Sequence, residues 1–242
     1  MTSFVRDPQS GLPIGLEVSP HLAPRPARTS IAGRLVRLEP LSAEQHGASL
    51  WTETHGRDKD ALWQYMFDAP FDEKNRFLED IEQKEASEDP LYFAIVDMTS
   101  GEALGYEALL RIHPSDRCIE VGSILYGPRL QRNPRGTEAQ YLLMRHIFDD
   151  LGYRRYEWKC NALNNPSRAA ALRLGFTFEG VFRQHMVIRG RSRDTAWYSI
   201  IDSEWQKTGA AFNQWLAADN FDSEGMQKKA LATIRAELQS HC

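Results

Sequence analysis

The side chains that could do chemistry concentrate between residues 119 and 183. Glu120 lies early in a predicted strand, and that strand leads into a loop that carries Gln131 and Arg132. Asn164 and Ser167 follow further along the chain, directly before a predicted helix. A partly buried carboxylate with a raised pKa can take the proton of an attacking ammonium group. These residues predict proton transfer together with the binding of an anionic ligand.

The loop over residues 131–136 precedes the start of a predicted helix, a place where an anion could bind. It reads Gln-Arg-Asn-Pro-Arg-Gly and precedes a helix that we predict to begin at Thr137. Such a loop points backbone N–H groups at phosphate oxygens, and the helix dipole adds to the attraction. Arg132 and Arg135 can contribute charged side-chain contacts. Pro134 has no N–H, so the loop lacks one potential donor.

Each of these residues also has a purely structural explanation. Glu120 can face solvent or pair across strands with an arginine such as Arg111. The arginine-containing loop can be an ordinary strand-to-helix turn. Asn164 and Ser167 can cap the helix that follows, with Pro166 in its first turn. Capping and ligand contact use different atoms, so the two explanations can hold together.

Four sequence strings, taken in their order and spacing, resemble the GCN5-related N-acetyltransferase (GNAT) superfamily. They are IEVGSILY at Ile119–Tyr126, QRNPRGTEA at Gln131–Ala139, NNPS at Asn164–Ser167 and LGFTFEGVFR at Leu174–Arg183. Within the superfamily, the chain resembles the branch that includes the acetyltransferases of ribosomal-protein N-termini. The resemblance covers about residues 31–202. It implies an enzyme that moves an acetyl group from acetyl-CoA, as co-substrate, to a primary amine without a metal.

The resemblance also implies roles for individual residues. Glu120 matches a position where the family often has its general base, and Ser167 matches a residue that hydrogen-bonds or protonates the CoA thiolate. Tyr126 and Tyr156 are weaker candidates for that thiolate donor. The implied cofactor-binding residues are Ile124, Leu125, Tyr126, Gln131, Arg132, Arg135, Gly136, Thr137, Asn164 and Ser167. Pro134 stands where the family's phosphate-loop pattern has its first glycine.

Hydrophobic periodicity and turn signals predict the elements that position these residues. Strands are expected at Gly33–Glu39, Leu91–Asp97, Ala103–Ile112, Cys118–Tyr126, Tyr156–Asn161, Phe178–Ile188 and Arg193–Ile201. Helices are expected at Ser42–His55, Asp72–Lys84, Thr137–Leu151 and Ser167–Leu174. The crossover over residues 119–160 requires one parallel pair. We therefore expect an α/β (α+β) GNAT fold: a mixed, mostly antiparallel sheet of six to seven strands, with flanking helices and a parallel pair that splays apart.

The chain ends differ in composition from this domain of residues 31–202. Residues 1–30 hold five of the twelve prolines and are expected to form an extended N-terminal arm. Residues 203–242 are expected to form a helical tail that packs on the domain or on a second copy in a homodimer.

Composition limits the partners and the location. The balance of 29 basic and 33 acidic residues argues against a nucleic-acid partner. No apolar run approaches the ~20 residues that span a bilayer, and the first ten residues lack an apolar signal region, so we expect a cytoplasmic protein without membrane contact. Cys118, Cys160 and Cys242 show neither metal-ligand spacing nor a disulfide framework.

The acceptor is left open between a small-molecule amine and a peptide amine. Trp51, Trp63, Tyr65 and Phe67 could line an aromatic acceptor pocket, or they could belong to the core. Pro134 favours an alternative function, a catalytically weak CoA-binding or partner-binding module of the same fold.

Overall fold

The computed structural model describes residues 4–240, apart from the side chain of residue 239. Ten strands lie in this range: β1 (Phe4–Arg6), β2 (Pro13–Gly15), β3 (Ile31–Ala32), β4 (Val36–Pro40), β5 (Leu91–Asp97), β6 (Ala103–His113), β7 (Cys118–Tyr126), β8 (Arg155–Asn161), β9 (Thr177–Ile188) and β10 (Arg191–Ile201). The α-helices of the same range are α1 (Ala43–Thr54), α2 (Lys74–Ala86), α3 (Pro134–Arg145), α4 (Asn165–Leu174), α5 (Asp202–Leu216) and α6 (Leu231–Ser240).

The main sheet has the strand order β3-β4-β5-β6-β7-β8-β10-β9. Every neighbouring pair in it is antiparallel except β7 and β8, which run parallel. This confirms a mixed, mostly antiparallel sheet with one parallel pair. The sheet has eight strands rather than six to seven. The additional strand is the two-residue β3 at one edge.

A tight turn separates β3 from β4, where the sequence predicts one strand over Gly33–Glu39. The Glu138 carboxylate accepts hydrogen bonds from the N–H groups of Arg34, Leu35 and Val36, at 3.2, 2.6 and 2.8 Å. A strand ladder cannot bind three successive N–H groups on one side, so β4 begins only at Val36.

The central strand β5 is buried along its whole length because helices cover both faces of the sheet. Phe93 and Ile95 pack in one core cluster with residues of α3, α4 and α5. Tyr92, Ala94 and Val96 pack in a second cluster with residues of α1 and α2. Alternate side chains of a strand point to opposite faces, so β5 joins the two cores.

The crossover helix α3 begins at Pro134, three residues before the predicted start at Thr137. Asn133 is its N-cap, and the Asn133 side chain accepts the N–H of Arg135 at 3.0 Å. Proline is favoured at the first helical position because the N–H that it lacks has no partner within the helix. A single π-helical turn at His146–Asp150 continues α3 toward β8.

Ser42 followed three residues later by Gln45 is the sequence pattern of a capping box, but no such box forms at the start of α1. The Ser42 side chain makes no capping hydrogen bond; instead its backbone N–H donates to Nδ1 of His46 at 3.0 Å. Glu85 of α2 accepts the N–H of Ala43 at 2.8 Å. A tertiary contact between two helices therefore replaces the local cap.

The N-terminal segment, predicted as an extended arm, contains a short hairpin at its start. The antiparallel hairpin of β1 and β2 is exposed along its length. Ala23 is buried, and its N–H donates to the Pro114 carbonyl at 3.1 Å. Arg25 and Arg28 also donate to the carbonyls of Glu88 and Ser87, so the segment contains one hairpin and several contacts with the domain.

The C-terminal segment contains two α-helices with an irregular stretch between them. Apart from a short 3₁₀ turn at Ala218–Asn220, residues 217–230 are not helical. Helix α6 lies against α4, where Arg235 donates to the carbonyls of Arg173 and Leu172 at 2.9 and 3.1 Å. The segment packs on the domain of its own chain.

Candidate functional site

β7 and β8 separate part-way along their length and open a cleft in the sheet. Their parallel pairing runs from Cys118 to Val121 of β7 and ends there. β7 bulges immediately afterwards: Ser123 has a φ of 48°, and two residues of β7 lie opposite Glu107 of β6. A bulge bends its strand and leaves backbone groups unpaired. The splayed parallel pair expected from the sequence is therefore present.

A cavity of about 950 Å³ extends through this cleft. One end, the cofactor end, is bordered by the loop before α3, by α4 and by residues 215–227. The other end, the acceptor end, is bordered by residues 61–67 and by β6, β9 and β10. Nine of the predicted site residues line the cavity: Glu120, Ile124, Tyr126, Gln131, Arg132, Gly136, Thr137, Asn164 and Ser167.

Two predicted cofactor residues do not present their side chains to the cavity. Leu125 is buried in the core cluster on the opposite face of the sheet, because strand residues alternate. The Arg135 guanidinium binds the Asp97 carboxylate at 2.6 Å and holds the pKa of Asp97 below its usual value against the effect of burial. In this conformation the Arg135 guanidinium is therefore occupied by Asp97 and not free for the phosphate contact expected of it.

The loop before α3 has the close packing of an anion-binding loop. Arg132 adopts a left-handed φ of 53°. A Cβ at Gly136 would lie 2.9 Å from the Leu130 carbonyl oxygen and 3.2 Å from the Tyr126 ring. Only glycine fits there without displacing neighbours. Pro134 occupies the first helical position, where it removes no helical hydrogen bond.

Backbone donors remain available beside this helix start. The N–H groups of Arg132 and Asn133 make no hydrogen bond to the residues that the structure describes. The Gln131 side chain donates to the Tyr126 carbonyl at 2.9 Å and holds the loop against β7. Free N–H groups next to a helix N-terminus bind phosphate oxygens, so this loop can offer donors without a contribution from Pro134.

Arg173 is a cofactor-end cation that motif matching misses. Its Nη2 donates to the Thr137 hydroxyl at 2.7 Å, and its side chain lines the cavity. Pro166, Ala169 and Ala170 line the cavity from the same helix. This spacing is that of one helical face, so extending the face that begins at the NNPS string would have pointed to Arg173.

The Ser167 hydroxyl faces the middle of the cavity. Its Oγ accepts a hydrogen bond from Nε1 of Trp158 at 3.0 Å, which leaves the hydroxyl proton to be donated. Asn164 caps α4 by accepting the Ser167 N–H at 3.1 Å. Capping and cavity lining thus coexist at these two positions. Burial raises the pKa of the neighbouring Cys160 thiol, which keeps it protonated.

Glu120 lies in the cavity wall and is 3% exposed. Its carboxylate binds the Arg111 guanidinium at 2.6 Å and the Lys159 ammonium at 2.8 Å. Burial raises the pKa of Glu120, while the charges of Lys159 and Arg111 oppose that rise. Lys159 also lies over the ring of Trp197, 3.8 Å from its centroid. Glu120 therefore pairs with Arg111, as the structural explanation of this residue predicts, and it also lines the cavity.

A buried polar network supports the bulge beneath the cavity. Tyr126 donates its hydroxyl to the Glu107 carboxylate at 2.6 Å, and the Gln140 amide donates to both groups. Burial raises the pKa of Glu107 to about 7. Burial and the Glu107 charge also raise the pKa of Tyr126 well above its usual value. Tyr156 is fully buried outside the cavity lining, so neither tyrosine presents a hydroxyl to a thiolate.

The aromatic residues considered for the acceptor pocket divide into two groups. Tyr65 and Phe67 line the acceptor end of the cavity. Trp51 and Trp63 instead pack around His55, with ring centroids 4.1 and 5.0 Å from it. Burial lowers the pKa of His55 to about 4, so the imidazole is neutral in this aromatic cluster.

The C-terminal segment also lines the cofactor end, through Trp215, Phe221, Met226 and Gln227. The Trp215 indole donates to the Gln227 side-chain oxygen at 2.7 Å, and its ring packs edge-on against Phe221 at 5.2 Å. Met226 is 63% exposed. A segment without any motif thus borders the site.

Neither a membrane-spanning helix nor a metal-binding cluster is found among residues 4–240. No helix in this range is long and apolar enough to cross a bilayer. The same residues contain no group of three His, Cys, Asp or Glu side chains that could hold a metal ion. Cys118 and Cys160 are free thiols, and Cys242 lies outside the described residues.

A splayed parallel pair, a bulged strand and unpaired N–H groups beside a helix start are the features expected from the resemblance of the sequence to the GNAT superfamily. A family model described as an acetyltransferase (GNAT) domain matches residues 36–177. The chain belongs to the GNAT acetyltransferase family. Comparison with curated proteins gives no match.

Solved structures agree with this assignment. A GCN5-related N-acetyltransferase from Brucella melitensis is 48% identical, with a TM-score of 0.88, and the match covers 89% of this chain and 98% of that one. A GNAT-family protein from Chromobacterium violaceum is 34% identical, with a TM-score of 0.74 and coverages of 83% and 100%. The microcin C7 self-immunity acetyltransferase MccE, solved with acetyl-CoA and AMP, shares the fold at 24% identity, a TM-score of 0.61 and coverages of 70% and 93%.

Proposed function

We propose that this protein transfers the acetyl group of acetyl-CoA to a primary amine, of a small molecule or of a peptide N-terminus, by direct attack. The observation that carries the proposal is the continuous cavity. It joins an anion-binding loop and Arg173 at one end to the buried Glu120 carboxylate towards the other. The MccE structure, which contains acetyl-CoA, supports the choice of acyl donor for this fold.

The cofactor end would hold the donor. The free N–H groups of Arg132 and Asn133 and the guanidinium of Arg173 suit the pyrophosphate. The Asn164 side-chain oxygen is used in capping, so its amide N–H₂ is the part that can bind the pantetheine amides. The splay between β7 and β8 would admit the pantetheine arm.

The chemical step would form a C–N bond and break the C–S bond of the thioester. Glu120, directly or through water, takes the proton that the attacking ammonium must lose. A backbone N–H after the bulge, in the Ser123–Tyr126 stretch, stabilises the oxyanion. The thiolate leaves beside Ser167, whose hydroxyl donates a hydrogen bond to it. Cys160 remains protonated, so no covalent acyl-thiol intermediate on the protein is invoked.

Calorimetric titration of acetyl-CoA and CoA, followed by a thiol-release assay with a panel of amines, tests the proposal. We expect acetyl-CoA to bind with a Kd near the micromolar range and free thiol to appear only when an acceptor is present. Absence of acetyl-CoA binding at millimolar concentration would exclude the function. Tight binding without turnover over the whole panel would favour the alternative, a CoA-binding module, which the two cations on Glu120 also favour.

Glu120 is tested by the pH dependence of the rate rather than by loss of activity alone. In Glu120→Gln, the rise of kcat/KM with pH should disappear. In Arg111→Met, the carboxylate stays but loses one neighbouring cation, so the pKa of Glu120 rises. The rise of kcat/KM with pH should therefore occur at higher pH than in the wild type. Unchanged profiles in both variants, with acetyl-CoA affinity retained, would remove Glu120 from the mechanism.

A further inference from the structure

Arg193 of β10 is a buried cation without a counter-ion at the acceptor end of the cavity. Its side chain lines the cavity, yet the residue is only 8% exposed. Its guanidinium makes no hydrogen bond or ion pair with the residues that the structure describes, and Nε is fully buried without a partner. Buried arginines are nearly always paired, so this side chain lacks a ligand that the fold does not supply.

The carboxylate nearest in this part of the cavity is already occupied. Glu120 binds Arg111 and Lys159, and it forms no ion pair with Arg193. The charges of Glu120 and Arg111 both act on Arg193, which places the three groups in one electrostatic environment. Burial is the main cause of a lowered pKa at Arg193, as expected for an uncompensated cation.

The position of Arg193 is held by packing. Its Cζ lies 5.1 Å from the centroid of the Phe67 ring, a cation–π contact. The side chain is therefore held in place without using its five N–H donors.

We propose that the acceptor is a small amine that also carries an oxyanionic group, a carboxylate or a phosphoryl group, and that Arg193 binds this group. The inference deepens the proposed acetyl transfer and rests on it. A planar guanidinium fork matches two oxygens of such a group at once. Glu120 and Arg193 line the same cavity, so one ligand can place its amine at the carboxylate and its anion at the guanidinium.

The experiment compares matched acceptors with and without the negative charge. The panel contains the α-amino acids, their amides and the corresponding aminoalkylphosphonates, each assayed for thiol release at saturating acetyl-CoA. We expect an acid or a phosphonate to exceed its neutral counterpart in kcat/KM by roughly 10- to 100-fold, the range of a charge-assisted hydrogen-bonding pair. The comparison of acids with phosphonates tells the two oxyanions apart.

Arg193→Met should remove this preference by raising the KM of the anionic acceptor relative to the KM of its neutral counterpart. Arg193→Lys should restore part of it, because the charge returns without the fork. Arg191→Met is the matched control: Arg191 is exposed in the same hairpin, and it should leave every ratio unchanged. Acetyl-CoA affinity and Tm verify that each variant is folded.

Two results overturn the inference while leaving acetyl transfer intact: equal rates for acids and amides, or an anion preference that survives Arg193→Met. If no amine is turned over, saturation-transfer NMR of the same panel decides. Binding of the anionic amines that Arg193→Met abolishes supports the site independently of catalysis. Equal binding to wild type and Arg193→Met refutes it.

Discussion

The indole N–H of Trp158 donates to the Ser167 hydroxyl across 3.0 Å. This bond joins β8, one wall of the cleft, to the first turn of α4. It occupies a lone pair of Oγ and leaves the hydroxyl proton for a ligand in the cavity. The orientation of Ser167 is thus set by a residue of the neighbouring strand.

Ser167→Ala should lower kcat by about 100-fold, a typical effect of one positioned proton donor. The affinity for acetyl-CoA and the Tm should change little, because the helix cap uses the Ser167 backbone N–H and survives. Trp158→Phe keeps the hydroxyl but frees its rotation, and we expect a smaller loss of kcat. Stopped-flow thiol release with acetyl-CoA in excess measures both. An unchanged kcat in Ser167→Ala would assign thiolate stabilisation to another group.

Arg173→Met should weaken acetyl-CoA binding by roughly 10- to 100-fold through loss of a charge-assisted phosphate contact. Arg135→Met is the matched control from the phosphate-loop motif. Its guanidinium binds Asp97 outside the cavity, so its loss should leave the Kd unchanged and lower the free energy of unfolding by about 1–2 kcal/mol. Calorimetric titration and urea denaturation measure the two effects. The reverse pattern of affinities would mean that Arg135 leaves Asp97 when acetyl-CoA binds.

Pro134→Gly restores the glycine of the family's loop pattern, yet it should not tighten acetyl-CoA binding. Pro134 is already at a favourable first helical position, and the loop N–H groups before it are free. Glycine enlarges the conformational freedom of the unfolded chain, so the free energy of unfolding should fall by about 1 kcal/mol. A large gain in affinity without a loss of stability would show that the missing N–H limits cofactor binding.

Glu107→Gln should change how stability depends on pH. The pKa of Glu107 is raised to about 7 in the folded state from a usual 4.5, so the folded state keeps a proton that the unfolded state releases. The stability of the wild type should therefore fall, relative to Glu107→Gln, as pH rises from about 4.5 to about 7, by on the order of 3 kcal/mol. The difference between the two denaturation curves isolates this group.

Tyr126→Phe is the control for that measurement. It removes the hydroxyl that bonds Glu107 but keeps the buried carboxyl. The stability of Tyr126→Phe should therefore still fall with rising pH relative to that of Glu107→Gln. Parallel curves for the wild type and Glu107→Gln across this range would show that Glu107 ionises at its ordinary pKa.

Much of the fold was accessible from the sequence because it depends on local patterns. The alternation in Leu91–Asp97 and the apolar run of Cys118–Tyr126 match β5 and β7 in their full bounds. The crossover of residues 119–160 requires a parallel pair whatever the packing, and the pair is present. Errors lie at boundaries that distant residues decide, such as the turn that Glu138 holds before Val36.

Part of the candidate site could likewise be predicted from the sequence, and part depends on distant residues. The resemblance of four sequence strings to the family implied site roles for Glu120, Asn164 and Ser167, and all three line one cavity. The group that a charged side chain binds depends on which oppositely charged residues lie near it in the fold. Arg135 is bound by Asp97, 38 positions earlier, while Arg173 reaches the cavity from another helix. Arg193 acquires significance only because the folded chain buries it without a counter-ion. Sequence by itself determined most of the elements and pointed, through the family resemblance, to candidate site residues. Tertiary packing decided which charges are free to bind a ligand, because electrostatic pairing acts through space.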